Sequence, residues 1–428
     1  MLALLWLASL VRIFWPHPYL PMAGGVVLAL YVVLTLPRVR RQIQALCAAL
    51  GLAAVTLAIL FDSWAALWHG IERAVIFAAF LGTLSLLRAT ADRRPEIKSA
   101  RQRVAKLGVH ERASGLMVGA NLLGAVLVVG VMAIFAPIIG RAAPFTTRMD
   151  AALASQRGMC LASFWSPFWV GMSVCYVHLP AVPLWQLMAL GIGMNALGLV
   201  VAQSLYGGGV GPGGLARALG ALAPALAPVG VAALVVVGIK AATPFSTLQS
   251  LILGVPVLCL AALSVQGLRP LRAALVQTGS NMGAMGSEIV LLTFSFALGL
   301  ALQGALEAAG AGEKIIALAP PPWAVIATVV ALIGVLALAG IHQVVTATLA
   351  LVLFGSLPFG VSQLVLMEAA LVGWGFASMI GLSAVSVATA AAMFGVPLER
   401  VAYGPNMRFT VVFGVIAVAA LAGVNLLV

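Results

Sequence analysis

Apolar runs about 20 residues long follow one another along this chain, with short polar breaks between them. A helix rising about 1.5 Å per residue needs roughly 20 such residues to cross ~30 Å of hydrocarbon. The runs predict spans near residues 2–15, 18–37, 43–61, 70–90, 159–178 and 184–206. A second set follows at 219–239, 248–266, 286–307, 376–394 and 403–428. Membrane β-barrels alternate apolar and polar positions instead. Two apolar stretches, 114–140 and 323–357, are left over.

Loop charge orients the spans. Arg38, Arg40 and Arg41 form one basic cluster, and the stretch from Arg88 to Arg112 forms another. Two spans separate them, so both face one side, which the positive-inside bias assigns to the cytoplasm. Residues 91–113 read as an amphipathic helix lying in the interface. If 114–140 enters and returns as a hairpin, Arg141, Arg148 and Arg157 stay on that same side. The second stretch, 323–357, is too long for one span and is interrupted by Gly340-Ile341-His342-Gln343, which predicts a second hairpin.

The expected fold is therefore an all-α polytopic membrane protein of about 11 spans. Two inverted-topology repeats would each hold about five transmembrane helices and one re-entrant hairpin, because an odd number of crossings inverts the second unit. Residues 1–17 read as an extra N-terminal span, 18–206 as the first repeat, 207–216 as a Gly-rich linker and 217–428 as the second repeat. Short echoes support the duplication. Ala162-Ser163 with Val182-Pro183-Leu184 returns as Ala377-Ser378 with Val396-Pro397-Leu398. Met149-Asp150-Ala151-Ala152-Leu153 returns as Met367-Glu368-Ala369-Ala370-Leu371, and Gly70-x-Glu72 as Gly286-x-Glu288. All four echoes keep their order, at offsets of 214 to 218 residues.

Composition agrees. The chain is 63% hydrophobic and 8% charged, far below the roughly 25% charged residues of soluble domains. Its net charge of +12 sits in the short loops, so no nucleic-acid partner is read from it. The four cysteines show no metal spacing and read as packing residues. The Gly-rich loop lacks the Lys-Ser/Thr ending of a phosphate cradle, and no hydrolase, zinc-protease or redox signature occurs. No catalytic residue, metal or cofactor is expected.

Polar residues inside apolar runs carry the candidate chemistry. Ser163-Phe164-Trp165-Ser166-Pro167 breaks one span, and its repeat partner carries Ser378, Gly381, Ser383, Ser386 and Thr389. Two interrupted helices at matching positions point to a midplane binding site. Ser163, Ser166, Pro167, Ser378, Gly381 and Ser383, with Gln343 and Thr346 at the second hairpin, are the solute candidates. His342, Glu368 and Asn121 are the candidates for ion coupling, by Na+ or H+. The competing reading for each is interhelical packing or capping, such as an Asp150–Arg157 pair. An anion would be held by helix N-termini, without a buried arginine.

The stretch Gly304-Ala305-Leu306-Glu307-Ala308-Ala309-Gly310, and the order of helix, loop, hairpin and broken helix met twice, resemble the ion transporter superfamily. That superfamily includes the divalent anion:sodium symporters and arsenite permease-like proteins. The resemblance implies that hairpin tips and broken helices hold solute and coupling ion, and that the chain forms a homodimer. The Ser-Asn-Thr triplet of sodium-coupled dicarboxylate members stands at neither tip here. The expected protein is a bacterial inner-membrane, multi-pass secondary transporter for a small anionic organic solute. The alternatives are a cation/proton antiporter and a membrane subunit served by a separate binding protein.

Overall fold

The computed structural model describes residues 1–94, 96, 99, 102–103, 109–207, 212–317 and 320–428. Most of the expected interfacial helix at 91–113, and residues 208–211 of the Gly-rich linker, lie outside the described residues. The described chain is helical. In the first half it forms α1 (Leu2–Phe14), α2 (Tyr19–Thr35), α3 (Arg41–Phe61) and α4 (Trp64–Ala91). Then come α5 (Val109–Leu127), α6 (Gly130–Ile139), α7 (Phe145–Leu161), α8 (Val170–His178) and α9 (Leu184–Tyr206). The second half forms α10 (Pro212–Ala242), α11 (Thr247–Ser264), α12 (Leu268–Ala284), α13 (Gly286–Ala308) and α14 (Ala311–Ile316). It closes with α15 (Pro322–Leu338), α16 (Gln343–Gly355), α17 (Gln363–Ile380), α18 (Val385–Phe394), α19 (Leu398–Ala402) and α20 (Pro405–Asn425).

Among the described residues, eight helical segments are long and apolar enough to cross a membrane, against the 11 spans expected. The differences have local causes. α1 has 13 residues, a rise of about 20 Å, short of the hydrocarbon thickness. The expected span 159–178 is two pieces, α7 and α8, separated by Ala162–Trp169, and its first piece starts at Phe145. Likewise 376–394 starts at Gln363 and breaks between Ile380 and Val385. The segments carrying Asp150 and Glu368 are thus the first halves of the broken helices, not their lead-ins. Residues 267–285, too polar to read as a span, form α12, and Gln277 on it ties to the end of α4. Arg93 Nη1 donates to Gln277 Oε1 at 2.6 Å, and Gln277 Nε2 donates to Asp92 Oδ2 at 3.3 Å.

Local signals set the element boundaries. Ser246 and Gln249 form a reciprocal capping box at the start of α11, and Ser362 accepts from Val365 N at the start of α17. Both leftover stretches are helix–turn–helix units. One turns at Val128–Val129 and the other at Ala339–His342, where Gly340 adopts φ 84°.

Packing is paired across the halves. α5, the first arm of one hairpin, lies chiefly along α7, and α15, the first arm of the other, along α17. The second pieces cross over: α8 packs on α16, and α18 on α6. Small residues allow the close approaches. A Cβ at Gly158 would overlap the Met117 carbonyl between α7 and α5, and one at Gly70 would overlap the Phe296 carbonyl between α4 and α13. Arg148 closes the crossing: its Nη1 donates to the carbonyls of Phe394 and Gly395 at the end of α18, where a cation suits the helix C-terminus.

Candidate functional site

Breaking a helix twice within the membrane frees backbone groups that need partners. Here the two breaks and the two hairpin tips surround one cavity of about 110 Å³. Val128 and Val129 come from the first tip, and His342, Gln343 and Val344 from the second. Trp169 and Val170 come from the first break, and Trp374, Ser378, Val385 and Ser386 from the second broken helix. Arg88 near the end of α4, with Glu288 and Leu292 at the start of α13, completes the lining.

Four helices start at this cavity: α6, α8, α16 and α18. Of these only α16 has a side-chain cap, His342 Nδ1 accepting from Val344 N at 3.3 Å. The starts of α6, α8 and α18 carry none. Each helix start contributes roughly half a positive elementary charge. Arg88 adds a full one; its Nε is buried with no hydrogen-bond partner among the described residues. Glu288 opposes it, and no ion pair within 4.0 Å joins the two. The ends of α5, α15 and α17 stop at the same tips and break and carry the opposite sign. What the cavity offers an anion is therefore its uncapped N–H groups and the Arg88 guanidinium rather than a large net charge. Val128 adds a second sign of function at the tip. This β-branched residue sits at φ 50°, in the left-handed region, at a cost of about 1–3 kcal/mol.

The expected site residues divide. His342, Gln343 and Ser378 line the cavity. Gln343 Nε2 donates to Ser378 Oγ at a long 3.4 Å. The Ser378 carbonyl, near the end of α17, accepts from Gln156 Nε2 at 2.9 Å and from the Ser386 hydroxyl. Thr346 lies one turn into α16 and donates to the Gln343 carbonyl at 3.3 Å. Ser163, Ser166 and Pro167 lie in the first break but are buried away from the cavity. Ser166 Oγ donates to the Ala125 carbonyl at 2.6 Å, and Trp169 Nε1 to the Gly124 carbonyl at 3.1 Å, so these two pin the break to the first hairpin. Ser163 Oγ donates to the Cys160 carbonyl at 2.7 Å. Gly381 is the break itself, where a Cβ would press on the Ala377 carbonyl, and Ser383 is exposed outside the lining.

The ion-coupling candidates other than His342 stand apart from the cavity. Asn121 is fully buried and donates to the Gly158 carbonyl at 3.0 Å and to Asn195 Oδ1 at 2.6 Å, a tie between helices. Glu368 lies ten residues before Ser378 on α17, about 15 Å along the axis. It is fully buried, and neither carboxyl oxygen has a partner among the described residues.

Arg88, Glu288, Trp169 and Trp374 were not expected at the site. Glu288 had a signal, the Gly-x-Glu echo. Loop charge places Arg88 in the basic cluster that ends at Arg112, but it lines the cavity together with both hairpin tips. Arg157 is a second correction. It is 4% exposed inside the helical body, and it pairs with Asn406 rather than with Asp150.

No protein-family model matches the chain, and no curated protein matches it in sequence. Among solved structures, the YdaH transporter of Alcanivorax borkumensis, described as having an unusual topology, is similar over 92% of this chain and 98% of its own. The TM-score is 0.50 and the identity 12%. At that identity the likeness is one of fold: an all-helical, multi-pass membrane architecture shared with a solved transporter.

Proposed function

We propose that this chain is a secondary active transporter that moves a small anionic organic solute across a bacterial inner membrane by alternating access. A proton or sodium gradient drives it. The observation that carries this reading is the meeting of four helix starts and Arg88 at one cavity built from both hairpin tips and both helix breaks. The uncapped starts of α6, α8 and α18 and the Arg88 Nε without a partner among the described residues are donors in need of an acceptor, which supports an anion there. The crossed packing of α8 on α16 and of α18 on α6 supports an inverted repeat, in which the hairpins move against the broken helices. The same reading carries membership of the ion transporter superfamily and assembly as a homodimer.

The cavity is small. A cavity of about 150 Å³ holds benzene, so about 110 Å³ suits a short-chain acid in this conformation. The reading is tested by the melting temperature of the detergent-solubilised protein against small carboxylates, with sodium or potassium, at two pH values. At least one short-chain acid raises it in the wild type and does not in Arg88→Gln. Sodium dependence of that shift assigns sodium coupling, and dependence on pH alone assigns proton coupling. An equal shift in Arg88→Gln overturns the site, and the absence of any shift overturns the anion.

One observation favours the cation/proton antiporter as a second reading: the unpartnered Glu368 carboxyl, buried in an apolar region. That reading requires pH-dependent cation exchange in vesicles without any organic anion.

A further inference from the structure

A buried arginine in a membrane protein needs an anion, and no carboxylate among the described residues forms an ion pair with Arg157. It stands four residues before the end of α7 and is 4% exposed. Its Nε donates to Asn406 Oδ1 at 2.9 Å, and Asn406 is itself fully buried at the start of α20. The guanidinium carbon lies 4.0 Å from the centre of the Tyr206 ring and 5.8 Å from that of Phe409. Tyr206 is held in turn by its hydroxyl, which donates to the Pro405 carbonyl at 2.6 Å. An amide and two aromatic faces orient the guanidinium, yet none of them carries a negative charge. Among the described residues, no carboxylate comes within 4.0 Å of its nitrogens.

The side chain borders a cavity of about 190 Å³, separate from the central one. α5 gives Ser114 and Met117, α7 gives Leu153 and Ala154, and α9 gives Ala202 and Gln203. Ser114 Oγ donates to Gln203 Oε1 at 2.9 Å, so that wall is polar. Asp150, two turns before Arg157, is exposed and contributes the acidic side chain among the described lining residues. An arginine has five N–H donors in a planar fork, and its four Nη hydrogens are the ones that grip a carboxylate side-on.

We propose that this cavity is a second binding site, for a small aromatic or branched monocarboxylate whose carboxylate pairs with the Nη groups of Arg157. The apolar body of the ligand packs among Met117, Leu153, Ala154 and Ala202. Volume selects the body: about 190 Å³ accepts a ring, where the central cavity of about 110 Å³ does not. Asp150 selects a single negative charge, because a dianion would meet more repulsion from it. The site stands on Arg157 alone and is independent of the central-site reading.

Benzoate is the probe, with inorganic phosphate as the comparison. Calorimetric titration of the full, detergent-solubilised chain is run on the wild type, Arg157→Gln, Ala154→Leu and Arg88→Gln. Benzoate binds the wild type; its Kd rises at least tenfold in Arg157→Gln, which removes the charge, and in Ala154→Leu, which fills the space and keeps the charge. Arg88→Gln binds benzoate as the wild type does and does not bind phosphate. If Arg157→Gln does not fold, Ala154→Leu decides the matter. The proposal is overturned if the wild type does not bind benzoate, if either cavity variant binds it unchanged, or if phosphate binds Arg88→Gln as well as benzoate does. Loss in Arg88→Gln with retention in Arg157→Gln also overturns it, because benzoate then sits in the central cavity.

Discussion

Replacing Glu368 by methionine should make the protein more stable and, if this carboxyl carries the coupling proton, inactive. Methionine is close to glutamate in length and shape, and the site on α17 is fully buried. Neither carboxyl oxygen has a hydrogen-bond partner among the described residues, although Cys175 is close by, its Sγ 3.8 Å from the Met367 carbonyl. Each buried polar group left unsatisfied costs about 1–3 kcal/mol, and an ionised carboxylate costs more. Removing both oxygens should therefore stabilise the fold by at least about 1 kcal/mol, allowing for imperfect packing of the new side chain. Reversible unfolding in mixed micelles measures the difference, and uptake into proteoliposomes with an imposed pH gradient measures the function. A gain of stability with lost uptake is the pattern of a polar group kept for function. A loss of stability of 1 kcal/mol or more would refute the burial argument, since it would mean that Glu368 has a partner that methionine cannot replace. Wild-type uptake in a stabilised variant would remove Glu368 from the coupling mechanism.

Ser166→Ala leaves the Ala125 carbonyl without its side-chain donor and should cost about 1–3 kcal/mol in the same unfolding assay, with uptake reduced; unchanged stability would sever the pin between break and hairpin. Ser378→Ala loses only a 3.4 Å contact, so folded yield should hold while uptake falls at least roughly tenfold. Wild-type uptake there removes Ser378 from the site. Glu288→Gln removes the charge that opposes an anion and should tighten binding of the stabilising acid by about tenfold, roughly 1.4 kcal/mol, read from its Kd; weaker binding would mean that Glu288 contacts a bound cation. Gly158→Val drives a side chain into the Met117 carbonyl and should cost about 3 kcal/mol or more, seen as loss of the monodisperse peak in gel filtration. A monodisperse Gly158→Val with an unchanged melting temperature would refute the close packing of α5 on α7.

What could be read from the chain, and what could not, separates along one physical line. Hydropathy weighs each residue as though it faced the surroundings alone. That suffices for α2, α3, α9 and α13, whose ranges fall close to the expected spans, because lipid or apolar neighbours cover them. It also places the turn between α15 and α16, since Gly340-Ile341-His342-Gln343 has too little apolar surface to continue a span. It fails for α7. Arg148, Asp150, Ser155, Gln156 and Arg157 make Phe145–Leu161 look like a loop, yet Ala151–Leu161 is buried throughout. Gln156 reaches the Ser378 carbonyl 222 residues away, and Arg157 reaches Asn406 249 residues away; no local pattern holds those partners. The reverse error falls on Asn121, Ser163 and Ser166, which look like ligands for a solute but are satisfied by carbonyls or an amide of the chain itself. A polar side chain at membrane depth must have a partner, but its identity does not say whether that partner is backbone, a distant residue or a solute. Only after the internal partners are subtracted do the remaining groups point outward to a ligand. Arg88 Nε, the uncapped starts of α6, α8 and α18, and the Nη groups of Arg157 survive that subtraction. They are where binding should be sought first.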